Sequence, residues 1–394
     1  MKIVFVIYSM RAGGAERVAA TLVNNWIAAG DQVTIVTIES STCDFYDLDS
    51  RTRRVALDLS RPSRSWREFL VNNFQIIMRL RDLIRKTRPD IVLSFMDLMN
   101  LRTLIAASGT RIPVVVGERV DPTQHRIGKV ASAARWLLYC RASAVVVQTA
   151  GIAQWASRIV ASTAIHVIPN PIGDQFLEPS SKVSIPQHKI VGMGRLEPQK
   201  GFDLLLCAFA QALTVHPDWT LDIFGEGSER DHLKSLADDL GLADRVSLPG
   251  AIKDPERALR QADIFILSSR YEGFPNALLE AMACGLAVIS FDCRSGPREM
   301  IQHGVNGLLV PPNDVGALAK AMSRLMSAGG ERQRLGKRAV EVAERFSAAK
   351  VAQMWRSLLE QAVFERVPMA EFDTPTLKPK TANACIEFVR RERR

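Results

Sequence analysis

A chain of 394 residues is too long for one ordinary hydrophobic core, so two domains are the first expectation. Its composition, 47% apolar and 24% charged, is that of a globular protein, and no uninterrupted apolar run approaches the ~18 residues of a membrane-spanning helix. The net charge of +9 is concentrated between Arg51 and Arg88, where eleven Arg/Lys face three acids (Asp58, Glu68, Asp82), without the aromatic-interleaved or zinc-type motifs of a nucleic-acid binder.

Six cysteines (Cys43, Cys140, Cys207, Cys284, Cys293 and Cys385) form no C-x-x-C pair and no disulfide-like ladder, which points to a reducing cytosol. The opening run MKIVFVIYSM meets Arg11 and a glycine pair too early for a secretory signal and reads as a strand over residues 2–9. RAGGAER (residues 11–17) then turns the chain into a helix ending near residue 29. Gly13 and Gly14 either bring backbone N–H groups close to a phosphate or make a tight turn, and the residues alone leave both open. The pattern is not G-x-G-x-x-G, so a dinucleotide fingerprint is unsupported.

A second strand is expected over 32–38. Asp47-Leu-Asp49 is formally a D-x-D metal motif, but no ligand cluster accompanies it and Arg51, Arg53 and Arg54 follow at once, so a loop is expected. Residues 66–86 carry Trp66, Phe69, Leu70, Phe74, Ile77, Leu80 and Ile84 at three- and four-residue steps, with Arg67, Arg79, Arg81, Arg85 and Lys86 between them. This amphipathic helix either packs on the sheet with a solvated basic side, the commoner case, or lies on an anionic membrane surface.

Strand and helix then alternate: strands at 90–95, 114–117, 144–148 and 165–168, helices at 98–107 and near 126–140. Such alternation implies a parallel, doubly wound sheet. The 114–117 strand is followed by Glu118-Arg119-Val120-Asp121-Pro122, with His125 six residues beyond Arg119. Proline and serine between Pro169 and Pro186 mark a boundary. The expected organisation is a domain at 1–172, a linker at 173–187, a domain at 188–346, a helix at 347–366 and a basic, flexible tail at 367–394.

The second half opens with a strand at 189–193 and the run GRLEPQKG (194–201). A helix at 202–215, a strand at 221–225, a helix at 230–240 and a strand at 245–248 closed by Pro249-Gly250 follow. The apolar run 263–267 reads as a buried strand feeding SRYEGFPNALLEAMACG (269–285). Pro275 suits the start of a helix over 276–284 and Gly285 its end, so the N–H groups near Asn276 and Ala277 point into the crevice of the sheet. Glu272 precedes that helix. Glu280 lies within it among Ala277, Leu278, Leu279, Ala281 and Met282, where a merely solvated glutamate is less expected. Sugar and ribose hydroxyls are natural partners for such carboxylates.

Glu272-(seven residues)-Glu280 resembles the E-x7-E motif of the family-4 retaining glycosyltransferases, which have the GT-B fold. GGAER resembles their first glycine loop, GRLEPQKG their diphosphate-binding segment, Pro249-Gly250 the place where the base is held, SGPREM (295–300) a loop beside the donor, and Asn306–Val310 with Asp314 the closing signature. The resemblance runs from about residue 2 to 364. It implies an α/β protein of two Rossmann-like doubly wound domains facing across a cleft, the last helix crossing back to the first domain. By that resemblance Arg195, Lys200 and Glu272 are catalytic, with the two cations on the donor diphosphate and Glu272 on sugar hydroxyls. Gly13, Gly14, Gly194, Phe274, Asn276, Ala277 and Glu280 bind the donor, Glu280 through the ribose. Arg119 stands where the family has a histidine, and it or His125 serves the acceptor or sugar side.

The implied reaction moves a hexose from a UDP- or GDP-sugar to a glycan or polyprenyl-diphosphate-linked acceptor with retention, as in bacterial surface-polysaccharide synthesis, with no metal or other cofactor. The implied setting is cytoplasmic, with residues 51–88 against the inner membrane face. A nucleotide-sugar epimerase of the same fold and a non-catalytic sugar-nucleotide binder are the rivals.

Overall fold

The computed structural model describes residues 1–62, 64–125, 127–177 and 187–365. Short β-branched runs buried along most of their length form the inner strands, as expected where helices cover both faces of a sheet, while the strands Arg53–Ala56, Ile165–Val167, Thr220–Phe224 and Val246–Gly250 are partly exposed. In the first domain the order is β1 (Lys2–Ile7), α1 (Gly14–Ala28), β2 (Gln32–Thr37), β3 (Arg53–Ala56), α2 (Trp66–Thr87), β4 (Ile91–Phe95) and α3 (Asp97–Ala107). β5 (Val114–Gly117), α4 (Lys129–Leu138), β6 (Ala144–Val147), α5 (Ala150–Ala156) and β7 (Ile165–Val167) complete it. All pairings are parallel, in the spatial order β3-β2-β1-β4-β5-β6-β7.

The second domain runs β8 (Lys189–Met193), α6 (Phe202–Leu213), β9 (Thr220–Phe224), α7 (Arg230–Asp239), β10 (Val246–Gly250), α8 (Pro255–Arg260) and β11 (Ile264–Leu267). It continues through α9 (Asn276–Ala283), β12 (Ala287–Phe291), α10 (Pro297–Met300), β13 (Leu308–Val310), α11 (Val315–Ser327), α12 (Gly329–Ala339) and α13 (Val342–Phe346). Its parallel sheet has the order β10-β9-β8-β11-β12-β13. Each sheet reverses its winding once, between β1 and β4 and between β8 and β11. At such a switch point the loops beyond the carboxyl ends diverge and open a crevice.

The last helix, α14 (Ala348–Phe364), returns to the first domain. Its Val351, Ala352, Trp355, Leu358 and Leu359 join the core built on β1 and α1. Trp355 is fully buried with its ring 5.5 Å from that of Phe95, which meets Phe5 edge-on at 4.6 Å. Trp26 Nε1 donates to Ala352 O at 3.2 Å. The outgoing and returning strands of chain touch where Ile172 N donates to Phe346 O at 2.8 Å; Ile168 packs in the first core and Ile172 already in the second.

Five elements escaped the sequence reading; two of them, α10 and β13, fall in runs read only as a loop and a closing signature. β3 carries Arg53 and Arg54 on the half-exposed edge of the sheet, so hydrophobic patterning does not mark it; Arg54 pairs with Asp44 at 2.7 Å. α5 and α8 are too short for a periodic signal. Pro275 takes the N-cap position of α9 rather than its first turn. The tail expected over 367–394 and most of the linker expected over 173–187 lie outside the described residues.

Candidate active site

The winding reversal between β8 and β11 sets the loops after these strands side by side, which brings residues 72 positions apart into contact. Two glycines make the close approach possible. Gly201 adopts φ +62°, and a Cβ on it would meet Ser268 O at 2.2 Å; Gly225 has φ +146°, where a Cβ would lie 1.8 Å from Gly194 O. Lys200 Nζ then donates to Glu272 Oε1 at 2.6 Å, and Ser269 Oγ donates to the same oxygen at 2.6 Å. Ser268 Oγ fastens the loop by donating to Lys200 O at 2.9 Å. Glu272 is buried, Lys200 half-buried and Arg195 exposed.

α9 starts immediately after this cluster and α1 faces it from the first domain. Neither N-cap residue, Gly13 or Pro275, lends its helix a side-chain bond; in α1 the Glu16 carboxylate accepts from its own first-turn N–H, whereas α9 turns its first-turn N–H groups and positive dipole end to the cleft. A Cβ on Gly14 would come 3.0 Å from Asn276 Nδ2, which lies 3.5 Å from Gly14 O. Glu280 sits one turn further into α9 and is buried, which pushes its carboxyl upward; Arg17 opposes this, donating to Glu280 Oε1 from across the cleft. Burial also raises Glu16, opposed by its own backbone bond, by Ser9 and by the charge of Arg195.

Asn170 is a second bridge. Its Oδ1 accepts from Arg119 and from Gln148 Nε2 at 2.8 Å, and its Nδ2 donates to Asn276 Oδ1 at 2.6 Å. Gly273 permits this approach, since a Cβ there would lie 3.0 Å from Gln148 Oε1 and 3.3 Å from Arg119 O.

Of the residues singled out in the sequence, Gly13, Gly14, Arg119, Gly194, Arg195, Lys200, Glu272, Asn276, Ala277 and Glu280 border this cleft. Phe274 does not present its ring there. It is buried against Phe346 at 5.7 Å in the second core, leaving its backbone alone for a ligand. His125 stands apart too, with Nε2 3.4 Å from Asp97 Oδ2 rather than on the Arg119–Asn170–Asn276 chain. Asp97 and Glu118 also face Arg135, at 3.6 and 3.4 Å.

Sequence reasoning missed Arg17 and Asn170. Arg17 ends the very GGAER run that drew attention to its glycines. Asn170 had no signal beyond its place between two prolines. Asp49, from the D-x-D, is bound by Arg51 through its backbone N–H and two guanidinium nitrogens, which hold its carboxyl down at about 2, while Asn24 grips the backbone of Asp47 and Asp49. Among the described residues no group of three or more His, Cys, Asp or Glu is placed to hold a metal ion.

Residues 12–176 match the model of Glycosyltransferase Family 4, and residues 177–342 that of Glycosyl transferases group 1. An exopolysaccharide phosphotransferase of Streptomyces coelicolor is 38% identical over 62% of the chain, a match that spans 26% of that longer protein. An N-acetyl-D-galactosaminyltransferase of Campylobacter jejuni, named for a diphospho-undecaprenol-linked acceptor, is 24% identical over 92% of the chain and 99% of its own length. The crystal structure of Anabaena HepE with UDP and glucose superposes with a TM-score of 0.77 at 20% identity, covering 92% of this chain and 100% of that one. The chain belongs to the family-4 glycosyltransferases and has their two-domain GT-B fold.

Proposed function

We propose that the chain transfers a hexose-type sugar from a nucleotide-diphosphate donor to a glycan or polyprenyl-diphosphate-linked acceptor, with retention of anomeric configuration, in bacterial cell-surface polysaccharide synthesis. The observation that carries the reading is the Lys200–Glu272 contact at the uncapped N-terminus of α9, with Arg195 on the same loop and the Gly13–Gly14 turn opposite. Arg195, Lys200 and the α9 N–H groups neutralise charge as the diphosphate departs. Glu272 receives the hydroxyls of the donor sugar, and Glu280, steadied by Arg17, receives the ribose. The two cationic side chains supply the electrostatic role that a divalent metal would otherwise fill, so no metal is required.

The HepE complex makes UDP the first base to test, and the Campylobacter relative makes a lipid diphosphate the first acceptor. The protein, in EDTA, is incubated with labelled UDP- and GDP-sugars with and without a membrane-lipid extract. Label moving to lipid or glycan with unchanged anomeric configuration supports the reading. An isomerised donor indicates an epimerase, and bound but unaltered donor a non-catalytic binder.

A further inference from the structure

Arg119 has hydrogen-bonding capacity that the described protein leaves unused. It follows β5 at the carboxyl edge of the first sheet, is 7% exposed, and lays its guanidinium 4.2 Å from the centroid of the Phe95 ring. Its Nη2 donates to Asn170 Oδ1, whereas Nε and Nη1 are buried with no partner among the described residues. No carboxylate among those residues comes within salt-bridge distance. The neighbouring Glu118 instead accepts from the Tyr139 hydroxyl and faces Arg135. Burial alone pushes Arg119 down to about 9, which leaves it charged at neutral pH. A charge withdrawn from water without a counter-charge is strongly disfavoured, and proteins tolerate it where a ligand supplies the partner.

The place identifies the ligand. Through Asn170 the guanidinium is tied to Asn276 at the first turn of α9, and its backbone adjoins Gly273, next to Glu272. We infer that Arg119 selects an acidic substrate, its free N–H groups receiving a carboxylate or phosphate oxygen carried by the transferred sugar or by the acceptor at the point of transfer. This rests on the cleft being a nucleotide-sugar site. A planar fork of N–H donors suits two-oxygen anions, whereas sugar hydroxyls would satisfy its hydrogen bonds and leave its charge unmatched.

Calorimetric titration of the full chain tests it. The donor probes are UDP, UDP-glucose and UDP-glucuronic acid, with GDP, GDP-mannose and GDP-mannuronic acid as the second series. A glucuronic-acid disaccharide and farnesyl diphosphate, each with and without nucleotide, probe the acceptor side against a glucose disaccharide and farnesol. On one of the two sides the acidic probe should bind about tenfold tighter than its neutral counterpart. Arg119→Gln should bring the two within threefold.

Asn170→Asp places a counter-ion inside the protein; it should abolish the same preference without lowering the melting temperature, which separates recognition from misfolding. Acidic and neutral probes binding alike to the unaltered protein on both sides would overturn the inference, as would a preference that survives Arg119→Gln. If neither UDP nor GDP binds, the donor-site reading has failed, and the nucleotide-free acceptor titrations alone decide the role of Arg119.

Discussion

Lys200 and Glu272 are each held by more than the other: Ser269 shares the Glu272 oxygen and Ser268 pins the backbone of Lys200. A preorganised cation of this kind costs no reorganisation when charge develops on a leaving group. Arg195→Ala and Lys200→Ala should therefore each cost about 2–4 kcal/mol in kcat/KM. Turnover within threefold of the parent in both variants would remove the diphosphate role. The glutamates should differ in kind. Glu272→Gln lowers turnover sharply, whereas Glu280→Gln mainly weakens binding of the free nucleoside diphosphate; titrations in which Glu272→Gln is the weaker binder would reverse the two roles.

Arg17 adds a pH dependence. Burial already raises the Glu280 carboxyl above the ordinary range and Arg17 pulls it back, so Arg17→Gln should raise it further. The ionised carboxylate is the form that accepts two hydroxyls, so nucleotide affinity falls on acidification and should fall at a higher pH in Arg17→Gln. Affinity measured across pH checks this, and an unchanged or lower midpoint refutes it. The glutamates, Arg195 and Lys200 were legible because each belongs to a run of definite spacing. Arg17 and Asn170 were not, because their roles depend on how two domains meet.

Among the elements, α9 could be read from an apolar strand, a proline and a glycine, all local signals. α2 divides into two zones that its sequence pattern merges. Ile76, Leu80 and Ile84 are buried, while Trp66, Phe69, Leu70, Val71 and Phe74 near its start are 51–69% exposed. A stripe at helical spacing cannot tell these zones apart, because it does not say which part of the helix meets the rest of the domain. α2 packs beside α3, and no helix among the described residues is long and apolar enough to cross a membrane.

Exposed aromatics beside basic residues suit an anionic leaflet, where each cation contributes about 1 kcal/mol. The protein should sediment with anionic but not neutral vesicles, less so at about 0.5 M salt. Arg67, Arg79 and Arg85 are exposed and are the ones to reverse to Glu. Arg81 is not suitable, since it donates to Ser108 O at 2.7 Å. Equal sedimentation with both vesicle types, or with neither, would make α2 an ordinary packed helix.

At the scale of the molecule, βα alternation sufficed to foresee two doubly wound sheets, because each parallel strand needs a crossover helix. The crossing back of α14 came only from family resemblance, since its apolar face would suit either core. Its attachment is strong: Trp355 is wholly buried among Phe95, Val351 and Leu359. Trp355→Ala should cost about 3–5 kcal/mol of stability. Urea unfolding followed by a probe in the first domain measures this, and a loss below about 1 kcal/mol would show that α14 only rests on the surface.

The return of α14 also orders events during synthesis. When residues 1–172 have left the ribosome, the pocket over β1 and α1 still lacks Val351, Trp355 and Leu359. About 180 further residues separate it from Trp355, roughly 10 to 40 s at ~5–20 residues per second. The earliest part of the chain to be made is thus among the last to close. For that interval its exposed apolar seam is a natural target for a nascent-chain chaperone.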